Sequence, residues 1–258
     1  MIEISPIWNP SLFDVAWSDI GPHRIAHADA VTALGSLENG CLDAIIMDPP
    51  YCSGGSSEAD RVAAKSQGLS RGQEWFIGDA MTSSEYAFFL ERLGQLAIAK
   101  LNPQTGSLMV FTDHKMIAVV IRAFSASGLR LRGIVTWDKM ARGRGRGFLP
   151  QSEFIVHFTV GATLTAYEHI PNVLQHKRIF HSKRLHPTEK PVSLLQDLLR
   201  VVMPPGGLVC DPFCGSGSLG TAAHALGCRV ILSDWDPKHA TTAANRLHSL
   251  IEEPAING

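Results

Sequence analysis

Asp48-Pro49-Pro50-Tyr51 places a carboxylate, two stiff residues and an aromatic ring at the end of an apolar run, Leu42 to Met47. The run reads as a short buried strand. A carboxylate there can accept a proton from the amine of a planar base, and a proline carbonyl can accept the second. The tyrosine ring can stack on the base. Proline has no N–H of its own, and its fixed φ keeps such a turn rigid. An ordinary strand-ending turn also uses Asp and Pro, so the tetrapeptide alone leaves both readings open.

A second motif lies far along the chain. Gly207 to Cys210 reads as a strand, followed by Asp211-Pro212-Phe213-Cys214-Gly215-Ser216-Gly217-Ser218. Leu219 to Leu226 reads as a helix stopped by Gly227, and Val230 to Leu232 as a strand leading to Asp234. Gly215, Gly217 and Gly220 spell G-x-G-x-x-G, with Asp234 near the acid position of a dinucleotide fingerprint, about 20 residues on. A nicotinamide-dependent oxidoreductase is therefore one reading. Asp211 speaks against it, because a carboxylate beside that loop repels a pyrophosphate. A cationic ligand without phosphate suits it better, and S-adenosylmethionine is such a ligand, with ribose hydroxyls for Asp234.

With both motifs present, the chain resembles the circularly permuted (beta-class) S-adenosylmethionine-dependent amino-methyltransferases of DNA. Asp48 to Tyr51 match that family's catalytic motif, and Asp211 to Ser218 its cofactor loop. His186-Pro187-Thr188-Glu189-Lys190-Pro191 matches the segment that contacts the methionine end of the cofactor. His27-Ala28-Asp29-Ala30 resembles the segment whose acid and following N–H bond the adenine. The match runs along most of residues 23–248. Two small departures are Ser218, where Thr is commoner, and His27-Ala28, where a Gly often precedes the acid.

The resemblance implies an α/β fold with a doubly wound, mostly parallel, seven-stranded sheet, and catalytic roles for Asp48, Pro49, Pro50 and Tyr51. It implies cofactor contacts from Asp29, Ala30 and Asp48, and from Pro187, Thr188 and Lys190. Asp211, Phe213, Gly215, Ser216, Gly217, Ser218, Asp234 and Trp235 complete that set. The family's cytosine enzymes often carry Ser where Asp48 stands, so adenine N6 is the expected target, ahead of cytosine N4 or an RNA adenine. A catalytically silent nucleic-acid-binding regulator is disfavoured by the intact motifs.

The formal net charge is only −1, but its distribution is uneven. From Lys139 to Lys190 there are nine Lys or Arg against three acids, Glu153, Glu168 and Glu189. Such an excess suits phosphate contacts. Lys139, Arg142, Arg144, Arg146, Lys177, Arg178, Lys183 and Arg184 are the expected contacts with double-stranded DNA. Residues 139–185 stand where the family carries target recognition. The alternating Arg-Gly run from 142 to 147 also fits a plain exposed loop.

The histidines His176, His181 and His186 lack metal-site spacing, and no metal is expected. Five cysteines, with no C-x-x-C pair, argue for reduced thiols in the cytoplasm, and the resemblance implies a bacterial or phage setting. No secretory leader or membrane span is expected. Cys214 reads as a packing residue rather than a nucleophile.

Positioning these residues requires alternating strands and helices in one domain over 1–258. Strands are expected at 24–28, 42–48, 107–111, 129–137 and 153–159, besides the two flanking the glycine loop. Helices are expected at 30–37, 84–101 (with Ser84 as its cap), 114–127 and 192–202. Residues 52–82 read as a mobile loop near the active site or DNA. The two motifs can share a crevice only if the strands ending at Met47 and Cys210 are neighbours at a switch point. A homodimer, and a cognate restriction enzyme as a further partner, are expected from the resemblance.

Overall fold

Ala44, Ile45, Ile46 and Met47 are all buried, as a strand covered on both faces requires. Ala44 and Ile46 join one apolar core, while Ile45 and Met47 join another on the opposite face. The computed structural model describes residues 14–50, 83–143, 146–179 and 189–252. Within them the strands are β1 (Ser18–Ile20), β2 (His23–His27), β3 (Ala44–Met47), β4 (Ser107–Thr112), β5 (Arg130–Asp138), β6 (Ser152–Thr159), β7 (Val173–Gln175), β8 (Leu208–Asp211) and β9 (Arg229–Asp234). They form one sheet in the order β1-β2-β9-β8-β3-β4-β6-β5-β7. The helices are α1 (Ala30–Ser36), α2 (Ser83–Lys100), α3 (Ile117–Ala126), α4 (Val192–Val202), α5 (Ser218–Ala225) and α6 (Pro237–Glu252).

The sheet is doubly wound. One core holds Leu34, Leu90, Leu93, Val120 and Phe124, from α1, α2 and α3. The other holds Leu194, Leu198, Leu219, Ala223, Ala243 and Leu247, from α4, α5 and α6. In α4 the buried residues Leu194, Leu195, Leu198, Leu199 and Val202 recur at helical spacing and make one apolar face. Asp29 caps α1 by accepting from the Val31 and Thr32 N–H groups. Gly227, at φ +66°, follows α5 in the left-handed conformation of a helix stop.

The expected mostly parallel sheet is present, with nine strands among the described residues rather than seven. The additions are the three-residue β1 and β7 at its two edges. Such short edge strands carry little apolar alternation, so nothing in the sequence signals them. Two further expectations need correction. Helix α2 begins at Ser83, so Ser84 lies in its first turn rather than ahead of it. Residues 114–116 form a turn before α3, closed by the Asp113 carboxylate on the Lys115 and Met116 N–H groups.

The required adjacency holds: β3 and β8 pair in parallel, with Ala44 opposite Val209 and Ile45 opposite Cys210. After β8 the chain enters α5 on one face, and the next described helix after β3 is α2 on the other. This is a switch point. Strand β6 runs antiparallel to both β4 and β5. Strand β5 therefore runs parallel to β3, and the loop after Asp138 opens on the same sheet edge as Asp48. No helix among the described residues is long and apolar enough to cross a membrane.

Candidate active site

The site forms where the carboxyl ends of β3, β8 and β9 meet. Asp48 follows β3, Asp211 ends β8, and Asp234 ends β9. Asp234 is buried and holds the glycine loop: its Oδ2 accepts from Gly215 N–H at 2.9 Å. Its Oδ1 accepts from Asp236 N–H at 3.0 Å. A carboxylate has about four lone-pair sites, so acceptor capacity remains for hydroxyls. Gly215 and Gly217 have φ of +50° and +77°, conformations that favour glycine. A Cβ at Gly217 would stand 2.9 Å from Ala243 Cβ, and one at Gly220 would stand 2.9 Å from Leu247 Cδ2. These glycines let α5 lie against α6.

Asp211 accepts from Phe213 N–H at 2.9 Å. Burial pushes its carboxyl up to about 8; the Phe213 N–H opposes this, while the nearby charges of Asp48 and Asp234 add to it. Such a crowded set of acids repels phosphate and accommodates a cation. Phe213 packs edge-on against Phe89, with ring centroids 6.2 Å apart. Burial also drives the Cys214 thiol well above its ordinary value, which fits a packing role.

Lys190 links the two motifs. Its Nζ lies 2.6 Å from Asp48 Oδ2, 3.3 Å from Glu153 Oε2 and 4.9 Å from the centre of the Phe111 ring. Burial alone would lower the Lys190 pKa, but Asp48 and Glu153 outweigh it and hold the ammonium above its ordinary value. Burial likewise raises Glu153, yet Lys190 and Lys139 bring it below the usual carboxylate value. Lys139 Nζ is 2.8 Å from Glu153 Oε1. The charges therefore alternate as Asp48, Lys190, Glu153, Lys139.

The other predicted residues are distributed around this centre. The Ala28 N–H donates to the Asp234 carbonyl at 3.1 Å, which brings Asp29 and Ala30 beside β9. The Asp29 carboxylate is largely engaged by α1, including Thr32 Oγ1 at 2.6 Å. Trp235 is 44% exposed, and its carbonyl lies 2.8 Å from His27 Nε2. Ser216 and Ser218 are buried, and the Ser218 hydroxyl donates to Glu189 Oε1 at 3.4 Å. Arg142, Arg146, Lys177 and Arg178 are exposed, whereas Lys139 is half-buried on Glu153. Tyr51, loop 52–82, Arg144, His181, Lys183, Arg184, His186, Pro187 and Thr188 lie outside the described residues.

Glu153 and Arg246 stand outside every motif of the sequence, and Glu189 enters only as part of the segment His186 to Pro191. Arg246, on α6, reaches Glu189 Oε1 at 2.8 Å and the Ser216 carbonyl at 3.3 Å, so it ties the segment before α4 to the glycine loop. Only the helical spacing of Ala240, Ala243 and Leu247 could have placed it, by showing α6 to be amphipathic.

With a doubly wound sheet and an acid-proline motif one strand away from an acid-flanked glycine loop, the chain is an α/β protein able to hold two ligands side by side in one crevice. It belongs to the N6_N4_Mtase family of DNA methylases, whose model matches residues 42–245. Among similar curated proteins, the type II methyltransferase M.HpaI of Haemophilus parainfluenzae is 24% identical, over 88% of this chain and 74% of its own length. The type II methyltransferase M2.DpnII of Streptococcus pneumoniae is 25% identical, over 87% and 89%. Among solved structures, the protein TTHA0409 of Thermus thermophilus, complexed with S-adenosyl-L-methionine, shares the fold. Its TM-score is 0.66 at 17% identity, covering 90% of this chain and 96% of that one.

Proposed function

We propose that this protein transfers a methyl group from S-adenosylmethionine to the exocyclic N6 of adenine in a specific double-stranded DNA sequence. The observation that carries the reading is the placement of Asp48 one strand away from the glycine loop, with β3 and β8 in parallel register. That arrangement favours a donor and an acceptor amine held side by side, where proximity and orientation do most of the catalytic work.

The residues fit the cofactor. Asp48 and Asp234 gather around Asp211, with Lys190 on Asp48, a set suited to a cationic ligand that carries hydroxyls and no phosphate. Bound there, S-adenosylmethionine would supply an electrophilic methyl group. Asp234 would accept from its ribose, Trp235 would cover its adenine, and Asp29 with the Ala30 N–H would bond the adenine edge. Pro187, Thr188 and Lys190 would take the methionine end.

An adenine amine is a weak nucleophile because its lone pair is conjugated with the ring. Asp48 accepts one amine proton and the Pro49 carbonyl the other, which orients the nitrogen as it pyramidalises. The proton released afterwards passes to Asp48 or to water. Reaching this pocket requires the base to leave the duplex, at a cost of a few kcal/mol. Stacking on Tyr51 returns about 1–3 kcal/mol of it. Asp rather than Ser at position 48 favours adenine over cytosine. The exposed Arg142, Arg146, Lys177 and Arg178 favour duplex binding. The strand order, with the amine motif ahead of the cofactor loop, accords with circular permutation. A cytoplasmic homodimer, with a cognate restriction enzyme as companion, completes the reading.

Nucleoside mass spectrometry of DNA from a host expressing the protein tests it. N6-methyladenine is expected. N4-methylcytosine in its place would move the target to cytosine, and methylation confined to RNA would reject the duplex substrate.

A further inference from the structure

Lys190 poses a problem for the reading above. An ammonium 2.6 Å from Asp48 Oδ2 competes with any amine that must donate to the same carboxylate, and it draws negative charge away from that bond. Glu153, on β6, offers the ammonium a second place. Its Oε1 is held by Lys139 at 2.8 Å, which fixes the carboxylate and leaves Oε2 facing Lys190 at 3.3 Å. Glu153 Oε2 is buried, and at 3.3 Å the Lys190 ammonium makes at most a long, weak contact with it, well short of its 2.6 Å approach to Asp48. A buried carboxylate oxygen with an open lone pair is costly to maintain. The flexible lysine stem could close that gap by a small shift, with the Phe111 ring 4.9 Å from the ammonium to stabilise it along the way.

Resting on the assignment of Asp48 as amine acceptor, we propose that Glu153 is a positioning residue for methyl transfer. It receives the Lys190 ammonium when the target amine binds, so that Asp48 becomes a full-strength acceptor only with the base in place. Lys139 takes part by holding Glu153 still. Because Lys139 also begins the basic hairpin loop between β5 and β6, the charge chain runs from the DNA-facing edge of the sheet to the reacting nitrogen.

The experiment is a double-mutant cycle on the full chain, with single-turnover methylation of duplex DNA and calorimetric cofactor affinity as readouts. Glu153→Gln keeps the shape and removes the charge. It is expected to lower the single-turnover rate at least tenfold, with cofactor affinity changed less than about threefold. In a Lys190→Met background, Glu153→Gln should lower the rate no further, because Glu153 acts through Lys190. An equal loss in both backgrounds, or an unchanged rate in Glu153→Gln alone, would overturn the proposal. If Glu153→Gln fails to fold, Glu153→Asp enters the same cycle, with a smaller loss expected and again none in the Lys190→Met background. Asp48→Ala is run alongside. If it stays active, the amine-acceptor reading fails; if it is inactive while Glu153→Gln is normal, only the present inference fails.

Discussion

Glu189 and Arg246 form an ion pair at 2.8 Å beneath the glycine loop, joining the segment before α4 to α6. The Glu189 side chain is only 4% exposed, and the same guanidinium reaches the Ser216 carbonyl. Removing one partner of a buried pair leaves an uncompensated charge, which costs more than the pair contributes. Arg246→Met is therefore expected to lose about 3 kcal/mol of unfolding free energy in urea titration and to weaken the cofactor through a looser loop. Arg246→Met combined with Glu189→Gln should recover part of the loss. A double variant no more stable than Arg246→Met would show that buried charge is not the cause.

Asp48→Ala is expected to reduce the methylation rate by about two to three orders of magnitude, the range seen when one charge-stabilising group is removed. Cofactor affinity, followed by calorimetry, should change little. A variant with near-normal turnover would remove Asp48 from the chemistry.

If the proposed cofactor site holds, Asp211 is expected to give cofactor binding a pH dependence. With its carboxyl near 8 in the free protein, Asp211 is largely protonated at pH 7, and a cationic ligand would favour its ionisation. Binding should release a proton at pH 7, and affinity should rise as pH increases toward 8. Calorimetry in two buffers of different ionisation enthalpy measures the release, and Asp211→Asn should abolish it. The same raised value means that this group's contribution to the stability of the free protein falls as pH rises from about 4 to about 8.

Two histidines act in the opposite sense. Burial lowers His23 to about 4, helped by His224, and lowers His157 to about 4, helped by Arg132. Both stay neutral in the fold while the unfolded chain takes up protons below its pKa of about 6.5. Stability from these groups therefore rises between about pH 4 and 6.5, by roughly 3 kcal/mol each. Melting temperature should fall on acidification through that window, and less steeply in His23→Phe. An unchanged slope in that variant would remove His23 from the effect.

Arg142 and Arg146 are exposed on the hairpin loop between β5 and β6. Replacing both with Ala should weaken duplex binding and flatten the plot of log affinity against log salt by up to roughly 1 per lost phosphate contact. Affinity and slope that both stay at the parent values would make the loop a solvated one.

The parts of this architecture that repeat at short range were legible in the chain. Strand β3 showed as an apolar run, α4 in its leucine spacing, and the end of α5 in Gly227, because each reflects burial or backbone conformation of consecutive residues. The pairing of β3 with β8 followed from resemblance rather than from local pattern, since 161 positions separate Met47 from Leu208 and no periodicity spans them. The ion network was least legible. Glu153 looked like one acid in a basic stretch, and only the antiparallel placement of β6 beside β4 brings it to Lys190. Arg246 likewise gains its meaning from the packing of α6 on α5.

Gly217 and Gly220 are required by the close approach of Ala243 and Leu247, so two of the three fingerprint glycines answer to a helix–helix contact whatever the ligand. The shared spelling with dinucleotide-binding proteins thus describes a common scaffold, while the proposed function assigns ligand choice to the acids around it. A protein engineer could accordingly retune cofactor selectivity at Asp211 and Asp234 while leaving the glycine frame intact. Side chains introduced at 217 or 220 would instead pry α6 from the sheet and disable every cofactor alike.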